Sequence, residues 1–234
     1  MSDPNTEKPL EKLSEYEKEL ELAKKSTDMV NISSSLLNLA KFCYEINAID
    51  FGLKYIQEAL EISEKNSDFP TPYEFYTLLG DFNFEQGLLN DSYDAYERSN
   101  KIIPKNKFLE LFTKNCVKMG RVSEISEKYS KAIKHYKEAE KLFEKLGMHA
   151  ERAKIFNAIG LVHLKKIPED LTTTFDKLGH HNMTGGLRFD KAKKNFNRAI
   201  MILDQHDLRE TEIVLYKTIK ANLEGKFSDY WSLF

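Results

Sequence analysis

The chain is poor in residues that interrupt or staple a fold. Glycine and proline number only ten and six in 234 residues. So few breakers, set among long runs of Glu, Lys, Leu and Ala, predict an all-helical chain. Cysteine is scarcer still. Cys43 and Cys116 each sit inside an apolar helical pattern where a small hydrophobe serves, which argues against a disulfide framework and against a cysteine metal site. No apolar run approaches the roughly 18 residues of a membrane span. The opening MSDPNTEKPLEKL is polar and acidic where a secretory leader needs an apolar stretch. A soluble, cytoplasmic chain without membrane insertion is the expectation. Lys and Arg total 35 against 37 Asp and Glu, a net charge of −2, and no basic block appears. Nothing in that balance points to nucleic acid. Motifs for catalysis are also missing: there is no Walker loop, dinucleotide fingerprint, HExxH or nucleophile elbow, and the one double glycine, Gly185 with Gly186, follows no strand. We therefore expect no enzyme activity, no catalytic residue and no cofactor.

What the chain does contain is a repeat. In KYSKAIKHYKEAEKLFEKLG, residues 128–147, Ala132, Tyr136 and Ala139 share one helix face, small, aromatic, small, as if another helix came close at both alanines. The same face recurs at Gly52, Ile56 and Ala59, at Ser92, Tyr96 and Ser99, and later at Ala192, Phe196 and Ala199. Ahead of each stands a small residue, Ala40, Gly80, Gly120 or Gly160, at intervals of 40. In the fourth unit the second half arrives 20 residues late, which implies an insertion near 167–186. Small against large is how two antiparallel helices close on one another, and a helical pair with two apolar faces must stack on the next.

These residues resemble the tetratricopeptide repeat, whose Leu-Gly, Ala, aromatic, Ala and Pro positions are matched by Leu79, Gly80, Ser92, Tyr96, Ser99 and Pro104, and again by Met119, Gly120, Ala132, Tyr136 and Ala139. The period of 40 exceeds the usual 34 or so. It resembles the longer variety found in peptide-sensing bacterial regulators, vesicle-fusion adaptors and kinesin light chains. The tyrosine that follows the glycine in the family is replaced by Cys43, Asn83, Ser123 and His163. The resemblance implies an all-α solenoid of four hairpins over 29–206 (33–66, 73–106, 113–146 and 153–206). Capping helices are expected within 1–28 and 207–234.

The resemblance also implies where a ligand would sit. Family contact positions, counted from Ser33, Tyr73, Thr113 and Ala153, give a concave groove. It is lined by Leu37, Asn38, Lys41 and Tyr44, by Glu74, Thr77, Leu78, Asp81 and Phe84, by Lys114, Val117, Lys118 and Arg121, and by Lys154, Asn157, Leu161 and Lys165. Lys114, Lys118 and Arg121 fall at i, i+4 and i+7, and Lys154 takes the same position one unit on, so this end would suit a carboxylate, a phosphate or an acidic peptide segment. The alternative is a merely solvated helix face. A non-catalytic protein- or peptide-binding scaffold is the function implied; the other reading is a peptide sensor whose solenoid changes curvature.

Two segments stand outside the repeat. In the insertion, Pro168 to Gly179 reads as a short helix and HHNMTGG as a loop. Asp176, His180 and His181 lack a spaced third ligand, so no metal is expected there. The tail KFSDYWSLF sets Phe227, Tyr230, Trp231 and Phe234 on one face, able to cover the last hairpin or to dock on a partner or sister chain.

Overall fold

The computed structural model describes residues 4–67, 69–165 and 183–231, with side chains left aside at 4–8, 10, 183–187, 189 and 224–231. Ten helices and no strand occur among the described residues: α1 (Pro4–Ser26), α2 (Met29–Glu45), α3 (Ile49–Lys65), α4 (Pro72–Glu85), α5 (Leu89–Ile102), α6 (Leu109–Ile125), α7 (Tyr129–Lys145), α8 (His149–Lys165), α9 (Met183–Gln205) and α10 (Ile213–Trp231). The chain divides into two compact units, Met1–Lys105 and Asn106–Phe234.

The 40-residue period has a simple origin. Helices α2, α3, α6, α7 and α8 are 17 residues each, and three residues join α2 to α3, α6 to α7 and α7 to α8. From α6 to α8, two such helices and two such turns add up to the repeat; the links before α4 and α6 are six residues long, and the 14-residue α4 and α5 make up the difference. First helices start at Met29, Leu109 and His149, one turn ahead of the expected 33, 113 and 153. Helix α4 is shorter, at 14 residues, because Pro70 and Pro72 bias the residues before them away from helix.

The turns share one geometry. Asn47, Gly87 and Glu127, 40 residues apart, have φ of 58°, 75° and 58°. At Asn47 the backbone N–H donates to the Tyr44 carbonyl at 3.1 Å, and the Ala48 N–H reaches back to the Cys43 carbonyl at 2.7 Å. This Schellman pairing satisfies carbonyls that a helix end leaves open. The same two bonds close α6 at Glu127 and Lys128, and α7 at Gly147 and Met148.

In unit 1, α1 lies against the α2–α3 hairpin. Leu20 and Ala23 enter a core with Leu36, Leu39, Ala40, Ile56 and Phe82, and Tyr55 Oη donates to Glu17 Oε1 at 2.6 Å. The small-against-large contacts fall as the repeat predicts. Gly80 lies under Tyr96, and a Cβ at Gly120 would stand 2.6 Å from Tyr136 Cδ1. Gly52, on the same face of α3 as Ile56 and Ala59, receives Phe82 from the following hairpin.

Unit 2 pairs α6 with α7 and α8 with α9. Ala192, Phe196 and Ala199 are fully buried. A Cβ at Gly160 would stand 2.6 Å from Phe196 Cε1. Helix α9 starts at Met183 and runs through Gly185 and Gly186, where a loop to 186 was expected. Residues 166–182, with Asp176, His180 and His181, lie outside the described residues. Helix α10 closes the unit through Ile219, buried with Leu215, Tyr216 and Leu223 packed around it. The side chains of Phe227, Tyr230, Trp231 and Phe234 are outside the described residues.

Glu127 is the misfit among the turns, since a side chain with no special αL tolerance occupies the position glycine favours. Glu127→Gly should stabilise the protein by about 0.5–1 kcal/mol despite the added freedom of the unfolded chain. Urea unfolding checks this: a higher midpoint at unchanged slope is expected, and a lower one contradicts the assignment of the turn.

Candidate functional site

The first helices of the hairpins carry the predicted groove positions, and the structure sorts them. In unit 1, Asn38, Lys41 and Tyr44 on α2 are exposed, while Asp81 and Phe84 on α4 are half-buried. Lys41 Nζ sits 3.3 Å from Glu74 Oε2. Tyr44 meets Phe82 edge-on, with ring centroids 5.2 Å apart, and its hydroxyl donates to Glu85 Oε1 at 3.4 Å. Three predicted positions are different. Leu37 and Leu78 belong to the buried apolar cluster of α1–α4. Thr77 is also buried, its Oγ1 2.9 Å from Ser99 Oγ, which in turn donates to the Tyr73 carbonyl at 2.7 Å. These three hold the hairpins together and leave little surface for a ligand.

In unit 2 the cations are present but engaged. Lys114 Nζ lies 2.6 Å from Glu110, and Lys154 Nζ lies 2.9 Å from Glu151 and 3.6 Å from Glu212. Glu151 also holds the Lys154 ammonium above its ordinary range, chiefly through their hydrogen bond. Lys118 is half-buried and Arg121 exposed on the same stretch of α6. Asn157 Oδ1 is 3.5 Å from Asn222 Nδ2 of α10. Leu161 packs on the apolar cluster that α10 completes. The terminal helix therefore takes up the α8 positions that a further first helix would meet.

Two carboxylates pair with the buried rings: Asp81, expected as a groove position, and Glu124, which was not. Tyr96 Oη donates to Asp81 Oδ1 at 2.7 Å, and Tyr136 Oη donates to Glu124 Oε2 at 2.9 Å. Glu124 Oε1 also accepts from Lys165 Nζ at 2.6 Å. The clue in the sequence is the choice of ring. Where the closing residue is tyrosine, an acid stands on the first helix within reach; where it is Ile56 or Phe196, no hydroxyl needs one. Burial raises both phenols well above the ordinary tyrosine range, and the neighbouring Asp81 or Glu124 charge pushes further the same way.

Among the described residues no group of three or more His, Cys, Asp or Glu side chains could hold a metal. No described helix is long and apolar enough to cross a membrane. Cys43 is buried, and burial together with Glu17 pushes its thiol up to about 11, so it stays protonated and unreactive.

No protein-family model matches the chain, and no curated protein sequence matches it. Solved structures do. The kinesin-light-chain-type TPR-like repeats from Podosopora anserina superpose with a TM-score of 0.62 at 12% identity, over 87% of this chain and 90% of that one. RapI in its apo form gives 0.58 at 14% identity, over 93% and 86%. BtubC (BKLC) from P. vanneervenii gives 0.57 at 18% identity, over 85% and 92%. By fold, then, the chain is a tetratricopeptide-type repeat protein, all-α and built of antiparallel helical hairpins. At these identities the likeness is one of fold.

The buried phenols give the protein an alkaline limit. A folded tyrosine with a raised pKa keeps its proton where an unfolded one, near pH 10, loses it, so its contribution is full below about pH 10 and disappears as pH rises beyond. Thermal unfolding should show stability falling above pH 10 by about 1.4 kcal/mol per pH unit for each such tyrosine. The double substitution Tyr96→Phe and Tyr136→Phe should make that fall shallower, leaving the share of Tyr55, whose phenol burial and Glu17 also raise. An unchanged slope would mean that these hydroxyls are ionisable in the folded protein.

Proposed function

We propose that the chain is a non-catalytic binding scaffold whose first-helix faces receive a protein or peptide. The observation that carries this is the division of each first helix into two sides. One side is spent on the hairpin and its neighbours, through Ala40, Gly80, Gly120 and Gly160. The other presents Asn38, Lys41, Tyr44, Asp81 and Phe84 in unit 1 and Lys114, Lys118 and Arg121 in unit 2, mixed polar, aromatic and charged groups on rigid helices. A rigid element bearing such a mixture is what a partner surface needs, because little ordering entropy remains to be lost on binding. Among the matching folds, a Rap protein was solved complexed with Competence and Sporulation Factor. That likeness supports a peptide or protein as the ligand class.

For unit 2 the reading extends to an acidic segment. The Lys114–Glu110 pair is exposed on both sides and lies within one helix, where such pairs are worth only about 0.3–0.5 kcal/mol. A ligand carboxylate can displace Glu110 at little cost, and Lys118 and Arg121 lie one and two turns along. Val117, half-buried between them, adds an apolar contact.

Peptides selected from a displayed library against the immobilised chain should carry Asp or Glu clusters and bind more weakly as salt rises. Lys114→Glu with Lys118→Glu should lower their affinity about tenfold or more. Selected peptides that are indifferent to both salt and charge reversal would contradict the acidic-segment reading, and a chain that selects nothing would contradict the scaffold itself.

A further inference from the structure

In unit 1 a pocket of about 190 Å³ opens where α2 and α4 end, lined by Tyr44, Asn47, Ile49, Phe82 and Glu85. It is smaller than the roughly 300–1,000 Å³ of small-molecule sites and suits the end of one long side chain. We propose that it is a binding site for an arginine side chain of a partner.

Three features of the pocket favour a cation. Two aromatic rings form its wall, Tyr44 edge-on to Phe82 at 83°, and an aromatic face attracts positive charge. Glu85 stands beside them. It accepts the long hydrogen bond from Tyr44 Oη, and among the described residues no cation pairs with it. The nearest cation on this face of α2, Lys41, lies one turn back and is engaged with Glu74. The third feature is the backbone. Both α2 and α4 end at the pocket, at Glu45 and Glu85, so the negative ends of two helix dipoles meet there.

The shape selects arginine. A planar guanidinium can stack on a tyrosine ring and present paired N–H donors to one carboxylate at the same time, which a lysine ammonium cannot do. Ile49 offers an apolar wall for the methylene stem. Asn47, held in the left-handed conformation by the turn, also lines the pocket. This site goes beyond the scaffold role and stands or falls without it, because a single amino-acid derivative is enough to probe it.

The test is a titration of the ¹⁵N-labelled full chain with Nα-acetyl-arginine amide, alongside the citrulline derivative, which keeps the shape and lacks the charge. Saturable shifts at the amides of Asn47, Ile49 and Glu85 are expected with arginine and not with citrulline. Glu85→Gln, on an exposed side chain, should leave the spectrum otherwise unchanged and weaken binding about tenfold, the loss of one charge-assisted contact. Equal shifts from citrulline, undiminished binding by Glu85→Gln, or no saturable shift up to the solubility limit would each overturn the proposal. A lysine derivative that binds as well as arginine would overturn the choice of a guanidinium.

Discussion

Within these hairpins a helix backbone lies directly against an aromatic ring, and it can do so only because a glycine leaves the space. At Gly120 and Gly160 a single added carbon would lie 2.6 Å from the ring of Tyr136 or Phe196, well inside van der Waals contact. Gly80 stands in the same relation to Tyr96, and between successive hairpins Gly52 does so to Phe82. A glycine inside a helix costs about 1 kcal/mol relative to alanine. The cost is offset because the ring fills the gap between helices and is almost wholly buried: Tyr96 and Tyr136 are 2% and 3% exposed.

That contact also shapes the surface that faces outward. A tyrosine ring laid across a glycine carries its hydroxyl to the edge of the first helix, where Asp81 or Glu124 accepts it. The carboxylates are thereby fixed in direction, and Glu124 in turn positions Lys165 from the next first helix. Packing inside the hairpin and charge on its face are two ends of the same side chain.

Much of this was legible because it depends on local rules. The small residues at 40, 80, 120 and 160, the buried positions Ala132, Tyr136 and Ala139, and the return of the frame at Ala192 all follow from helical periodicity and the size of single residues. The groove was less legible. Counting positions from a shorter standard unit placed Leu37, Thr77 and Leu78 on the ligand face, yet each is drawn into the interior by neighbours whose position no spacing reveals. The cations at 114 and 154 read as a convergent patch in one dimension. In three dimensions long, flexible side chains find Glu110, Glu151 and Glu212 first. Helix α9 begins at Met183 although Gly185 and Gly186 are poor helix formers, since tertiary packing around Ala192, Phe196 and Ala199 outweighs intrinsic propensity.

The account therefore turns on whether glycine is required under the ring, and Gly120→Ala decides it because the two physical effects have opposite signs. Propensity alone predicts a gain of about 1 kcal/mol from alanine in a helix. Steric collision with Tyr136 predicts a loss of about 1–3 kcal/mol. The measurement is the urea unfolding free energy of Gly120→Ala, alone and combined with Tyr136→Leu. The account predicts a destabilised single variant, and a double variant less destabilised than the two separate changes would add to. A Gly120→Ala protein as stable as the parent, or more so, would contradict it.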